Sequence, residues 1–463
     1  MKKLYSTFIV LCVCTNIFAQ HDFQAANTLN GIGSKTIYYR VTSTEPATVA
    51  VSFRGETPTA YREYTTYIVI PAIVTSPATA TPPSTNYLVT SIDANAFYDC
   101  TGLDSVLLPS SITFIDSLAF GGCTTLKKCV MPSDINFVGE KAFYNCRMLE
   151  EIELPSNITK ISDGTFRDCY NLKAVNFPDM VTSIGDFAFS NCTSLETITL
   201  SKYIKRVSAF SFLGCFVLNS INVDADNTKY MSDNGVLYTH SQDTLLIYPS
   251  KKSGMEFTPN NNLKYVSDYS FMYSLFLKKI NFNNSLKKIG NTAFYNCTGL
   301  SVLNISDSLS YIGEGAFYNC KNLDTIKITA ENPPCFQQFT LYNVPENVNV
   351  MVQCKFLENY QNSEWGEYFT NIKGYDCPPT GIDNPADECW QKENIFPNPV
   401  QNDLFVNVDD EKVKRVEVYS LSGDLVVSEN NTNKVSMSNI PQGIYIVKIK
   451  TNNKSIVRQI IKN

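Results

Sequence analysis

One spacing constrains this chain more than anything else in it. Cys100, Cys123, Cys146, Cys169, Cys192 and Cys215 recur at one constant step of 23, Cys297 and Cys320 repeat that step, and Ser274 stands in register with them. A Phe precedes each of these nine positions by three residues, from Phe97 through Phe189 to Phe317, and a Leu follows each by three, from Leu103 to Leu323. Self-similarity at a fixed period of this length marks a stack of small units. A unit this short cannot bury an apolar face alone, but stacked on a neighbour of the same shape it can.

Each unit carries two patterns. Pairs such as Val106/Leu108, Ile152/Leu154, Ile198/Leu200 and Ile326/Ile328 alternate with other residues, as a half-buried strand does. Ala96–Phe97, Ala142–Phe143 and Ala316–Phe317 follow a spaced pair of apolar residues (Ile112 and Ile115 in one unit) and suit a helical turn on the opposite side. The fold this predicts is a repeat β-solenoid of nine coils over residues 89–328, its nine Phe rings stacked internally. The spacing breaks once: the step from Cys215 to Ser274 is one period plus an insert of 36. Two short apolar runs in it, Gly235–Tyr238 and Thr244–Tyr248, predict a β-hairpin within about 224–260.

Solenoid ends need covers. Strand-like runs at Thr36–Val41, Val49–Phe53 and Tyr67–Ile70 predict an N-terminal β cap over 20–88, and 329–377, with Val348–Val352, Trp365 and Phe369, predict a C-terminal one. Pro378, Pro379, Gly381 and Pro385 mark a linker over 378–393. Strand runs at Leu404–Val408, Val416–Tyr419, Leu425–Val427 and Ile444–Ile449 then predict a small β-sandwich over 394–463. At the other end, Lys2 and Lys3 followed by the apolar run Leu4–Phe18 and Ala19 read as a secretory signal peptide over 1–19. Leu11 and Val13 before Cys12 and Cys14 do not make a lipoprotein box. Removing that segment takes the formal charge from −6 to −8 and leaves thirteen of the fifteen cysteines. No later stretch is apolar for the ~18 residues that a membrane-spanning helix needs.

The chemistry classes narrow quickly. There is no basic run, so nucleic acid is not an expected partner. His21 and His240 are the only histidines, and no nucleophile is placed with either, so no enzyme activity, metal or cofactor is expected. Glu151 and Glu153 flank Ile152 and read as the outer side of a strand, not as an acid/base pair. No close C-x₂₋₄-C pair of the zinc type remains, and Ser274 interrupts the cysteine ladder. The ladder thiols therefore read as small buried apolar groups, reduced despite export because equivalent side chains point in parallel. Cys129, off the ladder, reads as core. Cys335, Cys354, Cys377 and Cys389 lie in irregular segments where pairing is open.

Alternation turns a second set of strand residues outward: Lys128, Glu151, Glu153, Asn176, Thr197, Thr199, Asn222, Lys279, Asn281, Asn304, Thr325 and Lys327. This polar row is the candidate binding face. Tyr238, His240 and Tyr248 in the insert are the competing candidate.

The string Ile-x-x-x-Ala-Phe-x-x-Cys-x-x-Leu-x-x-Ile-x-Leu-Pro resembles the BspA-type leucine-rich repeat of bacterial surface proteins, over residues 89–328. The resemblance implies a solenoid, no catalytic residues, and adhesion to host or microbial proteins. The alternative is a structural surface spacer without a ligand. Phe396-Pro-Asn-Pro399, Val418–Gly423 and Gly443–Val447 resemble the type A C-terminal sorting domain of the type IX secretion system. That implies a Bacteroidota source, handling by the type IX machinery, and a place secreted from or on the outer cell surface.

Overall fold

A computed structural model describes residues 23–27, 35–53, 64–80, 82–377, 393–396, 399–408, 412–452 and 455–463. The signal-peptide reading and Cys389 lie outside these residues.

The chain is a β-solenoid of about twelve turns followed by a β-rich C-terminal region. Each coil contributes two short strands. One row runs through Glu151–Glu153, Ala174–Asn176, Thr197–Leu200 and Ser220–Val223, each paired in parallel with its equivalent one coil on, as Ile198 opposite Ile221 shows. The second row runs through Lys160–Ile161, Ser183–Ile184 and Arg206–Val207. Between them the Ala-Phe turn hands its backbone to the next coil: the Phe97 amide donates to the Ala119 carbonyl at 2.8 Å, and Phe120 to Ala142 at 2.8 Å. A small Ala permits that approach.

The predicted nine coils are too few. Thr65–Val69 pairs in parallel with Gly102–Leu107, and Ala47–Ser52 with Asn86–Ile92, so part of the expected N-terminal cap already winds as solenoid. At the other end Cys335–Phe336 continues the second row, while Asn349–Gln353 and Ile372–Tyr375 continue the first. These coils escaped the sequence pattern because they keep the strand positions and lose the Ala-Phe-x-x-Cys turn: Thr340–Leu341 replaces it, and the step becomes 24, Ile326 to Val350. The helices Leu357–Gln361 and Glu364–Tyr368 then close the end with buried Tyr360 and Trp365.

The rings stack as expected, but in two groups. Phe97, Phe120, Phe143, Phe166, Phe189 and Phe212 form a near-parallel pile at 5.1–5.7 Å between centroids. A second pile starts at Tyr248 and continues through Phe271, Phe294 and Phe317 at 4.6–5.2 Å. The insert separates them and divides the solenoid interior into two apolar clusters. It forms three strands, not a two-stranded hairpin: Tyr230–Asp233, Val236–Thr239 and Thr244–Ile247, paired antiparallel. Its last strand pairs in parallel with Tyr265–Val266, and the Tyr248 amide donates to the Ser270 carbonyl at 2.7 Å. The insert thus ends by becoming a coil in which Tyr248 stands where other coils have Phe.

The C-terminal region is two facing sheets, one of Glu393–Phe396, Asp403–Val408 and Lys434–Ser436, the other of Arg415–Ser420, Leu425–Asn430, Gly443–Lys450 and Ser455–Lys462. They enclose an apolar core of their own, with Leu404, Val416, Val418, Val447 and Ile460 at its centre.

Candidate binding face

The first strand row has an inner and an outer side. Val106, Cys129, Ile152, Val175, Ile198 and Ile221 are buried at matched positions, as alternation requires. Outward from them, Lys128, Glu151, Glu153, Asn176, Thr197, Thr199 and Asn222 are exposed. Beyond the insert, Lys327 is exposed while Lys279, Asn281, Asn304 and Thr325 are half-buried. The structure therefore brings all twelve predicted residues to one side of the strands, but in two stretches interrupted by the insert.

The second stretch is occupied by its own side chains. The Asn304 amide donates to Asn281 Oδ1 at 2.6 Å, Asn281 donates to Glu256 Oε1 at 2.5 Å and Thr258 Oγ1 at 3.1 Å, and Lys279 pairs with Glu256 at 3.0 Å. Lys327 lies 4.3 Å from the Tyr375 ring centroid.

The N-terminal end of the face is different. Tyr67 lies opposite Ser105, and Val69, Leu107 and Val130 follow one another across three strands. Tyr67 is 45% exposed, Leu107 37% and Val130 41%. Leu107 and Val130 thus point to solvent side by side, with Tyr67 diagonal to Leu107, Lys128 on the strand of Val130, and Glu151 and Glu153 on the strand beyond. The sequence reading missed Tyr67, which it assigned to a cap. Its place in the alternation Tyr67-Ile68-Val69 was the available signal.

The hairpin candidate dissolves. Tyr238 is 0% exposed and Tyr248 4%, both within the interior cluster, and only His240 reaches solvent. Two apolar rings on a short insert are worth more inside the stack than on the surface, so no Tyr–His–Tyr surface forms. Burial pushes the Tyr248 hydroxyl up to about 12.

The eight ladder cysteines and Cys129 are buried free thiols. Most of the ladder has a role that packing alone did not reveal. Cys123 Sγ donates to the Phe97 carbonyl at 3.1 Å, and the same bond recurs from Cys146, Cys169, Cys192, Cys215, Cys297 and Cys320, each to the ring-bearing Phe of the coil before. A thiol suits a site that is apolar yet adjoins a buried carbonyl. Burial pushes the Cys215 and Cys297 thiols up to about 12, the opposite of a reactive cysteine. Cys354 and Cys377 form a disulfide. Among the described residues no group of three or more His, Cys, Asp or Glu could hold a metal, and no helix is long and apolar enough to cross a membrane.

A family model described as the BspA type leucine-rich repeat region matches residues 83–181, 159–242 and 248–362, in six copies. A second, the secretion system C-terminal sorting domain, matches 394–463. Among solved structures, the pneumococcal vaccine antigen PcpA is similar with a TM-score of 0.56 at 22% identity, covering 77% of this chain and 100% of its own. A leucine-rich cell surface protein from Faecalibacterium prausnitzii aligns with a TM-score of 0.54 at 23% identity, over 75% of this chain and 95% of that one. A leucine-rich repeat protein from Eubacterium ventriosum gives 0.50 at 23% identity, over 62% and 78%. No curated protein matches the chain.

Proposed function

Because the chain belongs to the BspA-type leucine-rich repeat family and carries a secretion sorting domain that directs it to the cell surface through type IX handling, we propose that it is an adhesin, binding an extracellular host or microbial protein through the N-terminal end of its outer strand face. The observation that carries this reading is the exposed group Tyr67, Leu107 and Val130, with Lys128, Glu151 and Glu153 beside it. An apolar centre with a polar rim is the general anatomy of a protein-binding patch, and an aromatic at its centre is the usual anchor. The face needs no metal, cofactor or bond-breaking group to act in this way.

A structural spacer is the second reading, favoured by the mutually bonded Asn281, Asn304 and Glu256, which leave little for a ligand in the later coils. Surface plasmon resonance of the mature protein over a panel of host matrix and bacterial surface proteins separates the two. The adhesin reading expects at least one saturable partner whose affinity falls about tenfold or more, about 1.4 kcal/mol, in Leu107→Glu or Val130→Lys, with Lys327→Ala unchanged. A panel without saturable binding leaves the spacer.

A further inference from the structure

The coils have a third surface, formed by the turns that carry the ring stack. In each coil the residue two before the ring and the residue one after it lie on the outer side of the turn. In the early coils these are small or polar at several places, such as Asn95, Lys141, Gly164 and Gly121. From Phe187 onward most of them are large and form a line, Phe187, Phe210, Tyr269, Met272, Tyr295 and Tyr318, with Ser190, Thr292 and Gly315 as the small exceptions. All six large residues are buried, and what covers them is the C-terminal domain, through Tyr419, Leu421, Ile444, Ile446, Val457 and Ile461.

Three features mark this as a fitted dock. First, the backbone favours other residues there. Phe187 has φ 56° and Tyr269 φ 63°, the left-handed conformation that sister coils meet with Asn95, Gly164 and Gly315 but also with Leu118, Lys141 and Thr292. A bulky side chain is rare in that region. These rings stack on their neighbours along the stripe, Phe187 on Phe210 at 5.2 Å and Tyr295 on Tyr318 at 5.1 Å, and their outer faces are closed by the C-terminal domain. Second, polar groups are matched across the seam. Arg167, 1% exposed, donates to the Gly423 carbonyl and pairs with Asp424 at 2.8 Å. Lys448 pairs with Asp186, and the Thr292 hydroxyl donates to Gln459 Oε1 at 2.8 Å. A buried guanidinium is tolerated only when such partners are supplied. Third, the closest approach requires glycine: Gly423 has φ 79°, and a Cβ there would lie 2.8 Å from the Phe187 ring. The dock also bridges the break in the ring stack, since Phe187 and Phe210 precede the insert while Tyr269, Tyr295 and Tyr318 follow it.

We propose that this aromatic stripe is a binding site for residues 394–463 that holds them without help from the peptide connection. The sorting domain is then a bound cover as well as an address. Hydrolysis of the chain between solenoid and domain leaves the two associated, the stripe closed to other ligands, and the outer strand face open.

The test inserts a specific protease recognition sequence between residues 385 and 386 of the full chain, cuts it, and follows both fragments by native size-exclusion chromatography and circular dichroism. Co-elution of the two fragments at low micromolar concentration is expected. Phe187→Gly should release the domain while the solenoid stays folded by circular dichroism, since glycine suits the left-handed backbone even though the stack on Phe210 is lost. Gly423→Val should release it from the other side, independently of any effect on the coils. Separate elution of folded wild-type fragments overturns the proposal, as does co-elution that survives Phe187→Gly combined with Gly423→Val.

Discussion

The coils before the insert and the coils after it are built from one repeat, yet they are finished differently. Before it, six Phe rings pile without interruption, and most of the cysteines beneath them cap a carbonyl of the preceding coil. After it, the pile begins with Tyr248, and the first cysteine position is Ser274, whose buried hydroxyl has no hydrogen-bond partner among the described residues. Between the blocks lies a cavity of about 450 Å³ lined by Val207, Leu237, Leu246, Ile247 and Tyr265 among others. The difference teaches that the repeat is stabilised by each coil against its neighbour, so a solenoid tolerates an insert at the cost of one imperfect junction. It also locates that junction, which Asn227 holds from within: its amide nitrogen donates to the Ser201 and Ile204 carbonyls and its oxygen accepts from the Lys229 and Tyr230 amides.

The comparison can be broken most forcefully inside the first block. Phe189 has a stacked ring on both sides and Phe212 on one. Phe189→Ala should cost about 3–5 kcal/mol and Phe212→Ala clearly less, both read from urea unfolding followed by circular dichroism. Equal losses would show that the break in the stack has no energetic meaning.

At the junction, Asn227→Ala removes four hydrogen bonds to the backbone, although the Ser201 carbonyl keeps the Ile204 amide as a donor. A loss of about 2–3 kcal/mol is expected from the bonds lost at these buried and half-buried groups, accompanied by faster amide exchange in residues 228–247 and little change near Phe143. Uniform loosening of both blocks would count against a local keystone.

The smallest effect sharpens the contrast by repairing it. Ser274→Cys replaces a buried hydroxyl without a partner among the described residues by the thiol that other coils use, and should stabilise the second block by about 1 kcal/mol, seen as a raised thermal midpoint. A lowered midpoint would show that Ser274 serves the junction in a way the ladder cysteines do not serve theirs.

Much of this molecule was legible because the information was periodic. Phe97 to Phe317 and Cys100 to Cys320 announce the period, and the alternation around Ile152 or Ile198 announces which residues face inward. The coils without that turn signature, at Tyr67, Val350 and Ile372, were invisible for the corresponding reason. Tyr238 and Tyr248 misled because an aromatic on an insert reads as a surface feature until the stack that receives it is known.

From the sequence alone come the repeat, its two-sided strands, the inert thiols, and the resemblance that carries export; all of these follow from residues at fixed separations, which is what a linear chain displays. The tertiary structure decided the division of the ring stack, the capture of Tyr248 in place of a Phe, the gathering of Tyr67, Leu107 and Val130, and the covering of Phe187 and Tyr269 by residues more than a hundred positions away. Those depend on which surfaces meet in space, and contacts between Arg167 and Asp424 or Thr292 and Gln459 leave no periodic trace along the chain.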